Sequence, residues 1–150
     1  MFKNRKGFTL IELLVVIAII GLLSTLAVVA LGSAREKSRD ARRVSDLKQI
    51  QVALELYYTD LNGYPTTTGS GITLGVANTT DCLNSNGFTS RASNCSNPYM
   101  GLVPTDPVAG QVYTYTSTSS VEYTITAVLE GTVSGLTGTT TANQSGITAG

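Results

Sequence analysis

Residues Leu10–Gly32 read LIELLVVIAIIGLLSTLAVVALG, twenty-three residues carrying a single charge, Glu12. About 20 apolar residues at roughly 1.5 Å rise each cross the hydrocarbon of a bilayer, so this run is long enough to span one. The rest of the chain is too small and polar to cover a helix that is apolar on every side. The run is also longer than the core of a usual signal peptide, and it leads into a charged helix instead of a small-residue cleavage site. It is therefore read as a membrane span. Lys3, Arg5 and Lys6 precede it, which places the N-terminus in the cytoplasm and the chain after residue 33 outside. Arg35, Lys37, Arg39, Arg42 and Arg43 on the far side pull against that orientation, partly offset by Glu36, Asp40 and Asp46.

The 150 residues hold ten Lys+Arg and ten Asp+Glu, and the balance of zero hides a split. Residues 1–60 carry nine basic and six acidic side chains, net +3, while residues 61–150 carry Arg91 and four acids, net −3. Histidine is absent, which removes the usual general base, the Ser-His and Cys-His nucleophile pairs and the commonest metal ligand. No phosphate-binding loop of the form G-x-x-x-x-G-K-[ST] occurs. An enzyme is not expected, nor is a cofactor or metal. A nucleic-acid surface needs clustered Lys/Arg with aromatics, and residues 61–150 offer Arg91 alone.

Ser33 to Leu61 contains neither Gly nor Pro and is rich in good helix formers. Apolar residues at Ala34, Ala41, Val44, Leu47, Ile50, Leu54, Tyr57, Tyr58 and Leu61 form one stripe on a charged helix, suited to lie on a sheet. The arginine cluster is interleaved with acids, as in Glu36–Arg39 and Asp40–Arg43, and reads as a solvated, subunit-facing surface. Asn62-Gly63 and Pro65 end the helix.

Residues 63–110 are poor in large apolar side chains and read as loops with a short helix or strand. Cys82 and Cys95 enclose twelve residues and have no metal-ligand spacing. Outside the membrane they are expected to form a disulfide contributing about 3 kcal/mol, the alternative being two buried thiols. Gln111–Thr116 and Val121–Glu130 alternate as strands of an antiparallel hairpin, with Val121, Tyr123, Ile125, Ala127 and Leu129 facing the helix. Thr132-Val133 starts a third strand, and the Gly/Thr/Ser tail is expected to be mobile. Asp106, Glu122 and Glu130 are the acids that could gather around a cation; a turn residue and two solvent-facing strand residues are the plainer roles. The fold class is α+β: a long N-terminal helix whose second half packs on a small antiparallel sheet.

Lys6-Gly7-Phe8-Thr9-Leu10-Ile11-Glu12, followed by an unbroken apolar run, resembles the processing site of type IV prepilins and type II secretion pseudoprepilins. The resemblance implies cleavage by a prepilin peptidase between Gly7 and Phe8 and N-methylation of Phe8. It places Glu12, with Thr9 beside it, opposite the Phe8 amine of a neighbouring subunit during assembly; the plain alternative is a Glu12 that reaches up to the headgroups. Ala53–Tyr58, Asn62-Gly63-Tyr64-Pro65, Pro104-Thr105-Asp106-Pro107 and Gln111–Tyr115 resemble the major, G-type pseudopilin of type II secretion. Two features depart from the pattern: Leu26-Ala27-Val28-Val29 lacks the late proline of many relatives, and no acid follows Glu130 to build that family's calcium loop.

On this resemblance the chain divides into a leader (1–7), a transmembrane and polymerisation helix (8–32), an amphipathic half-helix (33–62) and a head (63–150). The head comprises the loops 63–110, a sheet over 111–135 and a mobile tail 136–150. The implied function is a filament subunit of a type II secretion pseudopilus or type IV pilus-like fibre, stored in the inner membrane. Its implied partners are copies of itself, the peptidase, membrane lipid, a platform protein and an assembly ATPase. The alternative is a surface-exposed minor pilin serving as an adhesion or DNA-uptake module.

Overall fold

The computed structural model describes residues 7–150, so the expected leader lies outside the described residues apart from Gly7. The chain forms two units, one ending at Arg35 and the other covering Glu36–Gly150. Helix α1, Leu10–Leu61, contributes to both. In the first unit every residue from Gly7 to Arg35 is exposed, including Leu10, Ile17, Leu22 and Val29. The helix is long and apolar enough to cross a membrane. The two hydroxyls of the apolar run over residues 10–32 are satisfied internally: Ser24 Oγ donates to Ile20 O at 2.7 Å and Thr25 Oγ1 to Leu22 O at 2.8 Å. A lipid-facing helix has no water to serve such groups.

In the second unit, Leu47, Ile50, Ala53, Leu54 and Tyr57 are buried, the spacing of three and four that puts side chains on one helix face. Beyond the helix come β1 (Ile72–Thr73), β2 (Cys82–Asn84), β3 (Gly87–Thr89), the one-turn α2 (Arg91–Asn94), β4 (Thr114–Ser119), β5 (Glu122–Val133), β6 (Leu136–Asn143) and β7 (Gly146–Ala149). β2 and β3 form a separate hairpin; the rest make a five-stranded sheet in the order β1-β4-β5-β6-β7, with antiparallel neighbours throughout. The helix face meets Tyr113, Tyr115, Tyr123, Ile125, Ala127 and Ala142 in one core, with Leu83 from β2 and Leu74 and Val103 from the loops. The expected α+β arrangement is what the chain adopts.

Several boundaries differ from the sequence reading. The first hairpin strand begins at Thr114, not Gln111, and runs on to Ser119. The next extends to Val133, so Thr132-Val133 ends β5 rather than opening a new strand. Val121 sits in the β4–β5 turn and is 65% exposed, not on the core face. Residues 136–150 hold β6 and β7 instead of a mobile tail. Ser134 (φ 54°) and Gly135 (φ 82°) supply the two left-handed positions of a tight hairpin turn, and β6 then turns Thr140 and Ala142 inward as small core residues. Ala34, Ala41 and Leu61 of the expected stripe are exposed.

Candidate functional site

The N-terminal end of α1 is closed by its own side chains. The Thr9 backbone N–H and Oγ1–H donate to Glu12 Oε2 at 2.8 and 2.6 Å, and the Glu12 N–H donates back to Thr9 Oγ1 at 3.3 Å. This is a reciprocal capping box, which satisfies backbone donors that the first helical turn leaves free. The T-x-x-E spacing that produces it is in the sequence. Only Oε2 is engaged in these bonds. Phe8, immediately before the box, is 82% exposed.

A second polar cluster lies where the helix crosses β5. Arg43 and Asp40 are fully buried, against the expectation of a solvated arginine face. Asp106 accepts two parallel hydrogen bonds from Arg43, at 2.7 Å from Nε and 2.8 Å from Nη2. Nη1 donates to Asp40 Oδ1 at 2.6 Å and to Glu130 Oε1 at 2.7 Å. Asp40 in turn accepts the backbone N–H groups of Glu130 and Gly131 at 3.0 and 2.8 Å. Arg39 completes the set by donating to both Glu130 oxygens. Asp106 and Glu130 thus gather on a guanidinium while keeping their expected places, Glu130 exposed on β5 and Asp106 in a turn where its Oδ1 accepts the Val108 N–H at 2.8 Å.

The electrostatics follow the contacts. Hydrogen bonds from Arg39, then Arg43, hold the Glu130 carboxyl down at about 2. The bond to Asp106 leads the causes that raise the already high Arg43 pKa. Asp46 is pushed up, because burial outweighs the hydrogen bond from Tyr113 Oη (2.9 Å) and the charge of Arg42. A buried charge is tolerated only when paired and hydrogen-bonded, and here the pairs tie helix, β5 and the Pro104–Pro107 loop together. The arrangement is mechanical, and no group of three or more metal-ligating side chains occurs among the described residues. Cys82 and Cys95 form the expected disulfide, with their Cα atoms 6.0 Å apart.

Comparison with known proteins gives these clusters a context. A family model for the type II secretion system (T2SS), protein G, matches residues 30–145. The chain belongs to the type II secretion protein G family. A second model, the prokaryotic N-terminal methylation motif, matches residues 2–32 and covers Gly7, Phe8, Thr9 and Glu12. Among curated relatives, type II secretion system core protein G of Aeromonas hydrophila is 43% identical over 65 residues, 43% of this chain and 46% of that protein. The protein of the same name from Escherichia coli is 44% identical over 64 residues, 43% of this chain and 44% of its own length. The type IV wide pilus major component PilA4 of Thermus thermophilus is 39% identical over 77 residues, 51% of this chain and 59% of that protein. The matched stretches therefore span about half the length of these relatives. No solved structure gives a significant match.

Proposed function

We propose that this protein is a structural filament subunit, inserted in the inner membrane and polymerised through its N-terminal helix into a type II secretion pseudopilus or a type IV pilus-like fibre. The observation that carries the reading is the continuity of two matches along one chain. A methylation motif over residues 2–32 runs directly into a secretion protein G domain over 30–145, with a wholly exposed apolar helix at the join. In this reading the N-terminus is cytoplasmic and the head extracytoplasmic. A prepilin peptidase cuts between Gly7 and Phe8 and methylates Phe8, while Thr9 and Glu12 act in assembly.

The physics of polymerisation supports it. Bundled helices replace lipid with protein around residues 10–32, and Ala18, Gly21, Ser24, Ala27 and Ala30 allow close approach. The chain has no nucleotide-binding loop to drive extrusion, so the work falls to a separate ATPase and platform protein.

The test is expression of the full chain beside Gly7→Ala in a host with a prepilin peptidase and an assembly machine. Mass spectrometry should show a wild-type chain that starts at methylated Phe8 and a variant that keeps residues 1–7, with filaments only from the former. Filaments built from chains that retain the leader would sink the reading.

A further inference from the structure

The head carries a groove of about 550 Å³ along the helix, bordered by Lys48, Val52, Leu56, Tyr123, Ser145 and Gly146. Val52 and Leu56 stand one helical turn apart and are 62% and 52% exposed, although both are large and apolar. Gln51 fixes the opposite wall, donating from Nε2 to Asn143 O at 2.6 Å and to Gly146 O at 3.3 Å across the β6–β7 turn. Tyr123, 3% exposed, borders the groove from β5. Lys48 makes no ion pair among the described residues.

A complementary projection exists on the same chain. Val121, in the β4–β5 turn, is the most exposed large apolar residue of the head. Glu122 follows it, exposed and likewise without an ion pair among the described residues. The turn is held in place rather than loose. Ser117 Oγ–H is placed to donate to Ser119 O and Glu122 O, each at 2.8 Å, and Tyr64 N–H donates to Ser120 O at 2.8 Å. Apolar projection and acid on one surface face apolar groove and base on another.

We propose that the β4–β5 turn of one copy docks in the groove of the next, with Val121 on Val52 and Leu56 and Glu122 against Lys48. Two different surfaces meet, so the contact is head-to-tail, and repetition builds an open helical polymer instead of a closed dimer. The inference rests on the filament reading and adds to it the surface by which successive heads recognise each other. Charge complementarity sets register and partner choice, and the buried apolar contact supplies attraction.

The experiment uses the full chain in cells that assemble filaments. A Lys48→Cys/Glu122→Cys double variant, oxidised and run under non-reducing conditions, should give a ladder of multimers. Monomers only, dimers only, or a cross-link to a different protein would each overturn the contact. Lys48→Glu should lower filament yield roughly tenfold by setting like charges together, and adding Glu122→Lys should restore it. Because both residues are exposed, an intact Cys82–Cys95 disulfide and normal leader removal report that the variants fold. Wild-type filament yield from Lys48→Glu, or no rescue by the double exchange, would overturn the contact while leaving the filament reading intact. A wild-type chain that forms no filaments would instead overturn the filament reading, and this contact with it.

Discussion

Arg43 and Asp106 face each other through two parallel hydrogen bonds of 2.7 and 2.8 Å, and the guanidinium that makes them is wholly buried. The pair joins the helix to a loop 63 residues further along the chain. Removing one partner leaves an uncompensated charge in low dielectric, at a cost of about 3–5 kcal/mol. Arg43→Ala should therefore destabilise the head by that amount in denaturant unfolding of the detergent-solubilised chain. Arg43→Lys should also destabilise it clearly, because one ammonium cannot reproduce the planar fork that meets Asp106 on two atoms and Asp40 and Glu130 on a third. A lysine variant of wild-type stability would show that only the charge matters.

The same cluster makes stability depend on pH, with a definite sign. The Glu130 carboxyl is lowered from its ordinary 4.5 to about 2. Its contribution is complete above the ordinary value and disappears as the pH falls through about 2. Asp46 acts in the opposite sense: burial raises its pKa above the ordinary 3.8, so folding favours its protonated form and its contribution weakens as the pH rises through that raised value. Melting temperature followed from neutral pH into acid should fall, and Glu130→Gln should flatten the fall. Asp46→Asn keeps an acceptor for the Tyr113 hydroxyl but removes the group that offsets the fall, so it should widen the stability gap between neutral pH and acid. A Glu130→Gln variant with an unchanged acid limb would contradict the assignment.

Two further substitutions test the core and its staple. Leu54 is fully buried between helix and sheet, so Leu54→Ala should cost about 2–5 kcal/mol. Cys82→Ser opens the loop to Cys95 and should cost about 3 kcal/mol. The intact chain should weigh two hydrogens less than its reduced form, and two alkylatable thiols in the exported protein would refute the bond.

What the sequence made legible was periodic. Leu47, Ile50, Leu54 and Tyr57 repeat at helical spacing, and Tyr123, Ile125, Ala127 and Leu129 at strand spacing, so both faces of the core could be read. The buried ion cluster could not, because Asp106 and Glu130 lie 63 and 87 residues from Arg43 in the chain, and charges interleaved on a helix look the same whether solvated or paired. Local composition also misled at β6 and β7. Threonine and glycine signal a loose tail, yet here β6 pairs with β5, whose other edge is taken by β4, and β7 pairs with β6. Val121 fits the alternation of its strand, but the turn claims it before the strand begins.

The last prediction concerns Glu12, where the capping box changes what a substitution measures. Glutamine at the same position also accepts the Thr9 N–H in such a box, so Glu12→Gln keeps the helix end intact and removes only the charge. Thr9→Val does the reverse, deleting the hydroxyl that donates to Glu12 Oε2 at 2.6 Å and leaving the carboxylate; a lost cap costs about 1 kcal/mol. If Glu12 serves only its own helix, Glu12→Gln should assemble normally and Thr9→Val should be the weaker variant. If Glu12 meets the Phe8 amine of a neighbour, Glu12→Gln leaves that ammonium unpaired in low dielectric, a penalty of several kcal/mol per ion. Chains should then be inserted and processed but fail to polymerise, while Thr9→Val still forms filaments. Leader removal scored by mass, and filaments counted by electron microscopy, separate the two outcomes. Normal filaments from Glu12→Gln would exclude the intersubunit pair and leave the capping box as the reason for the carboxylate.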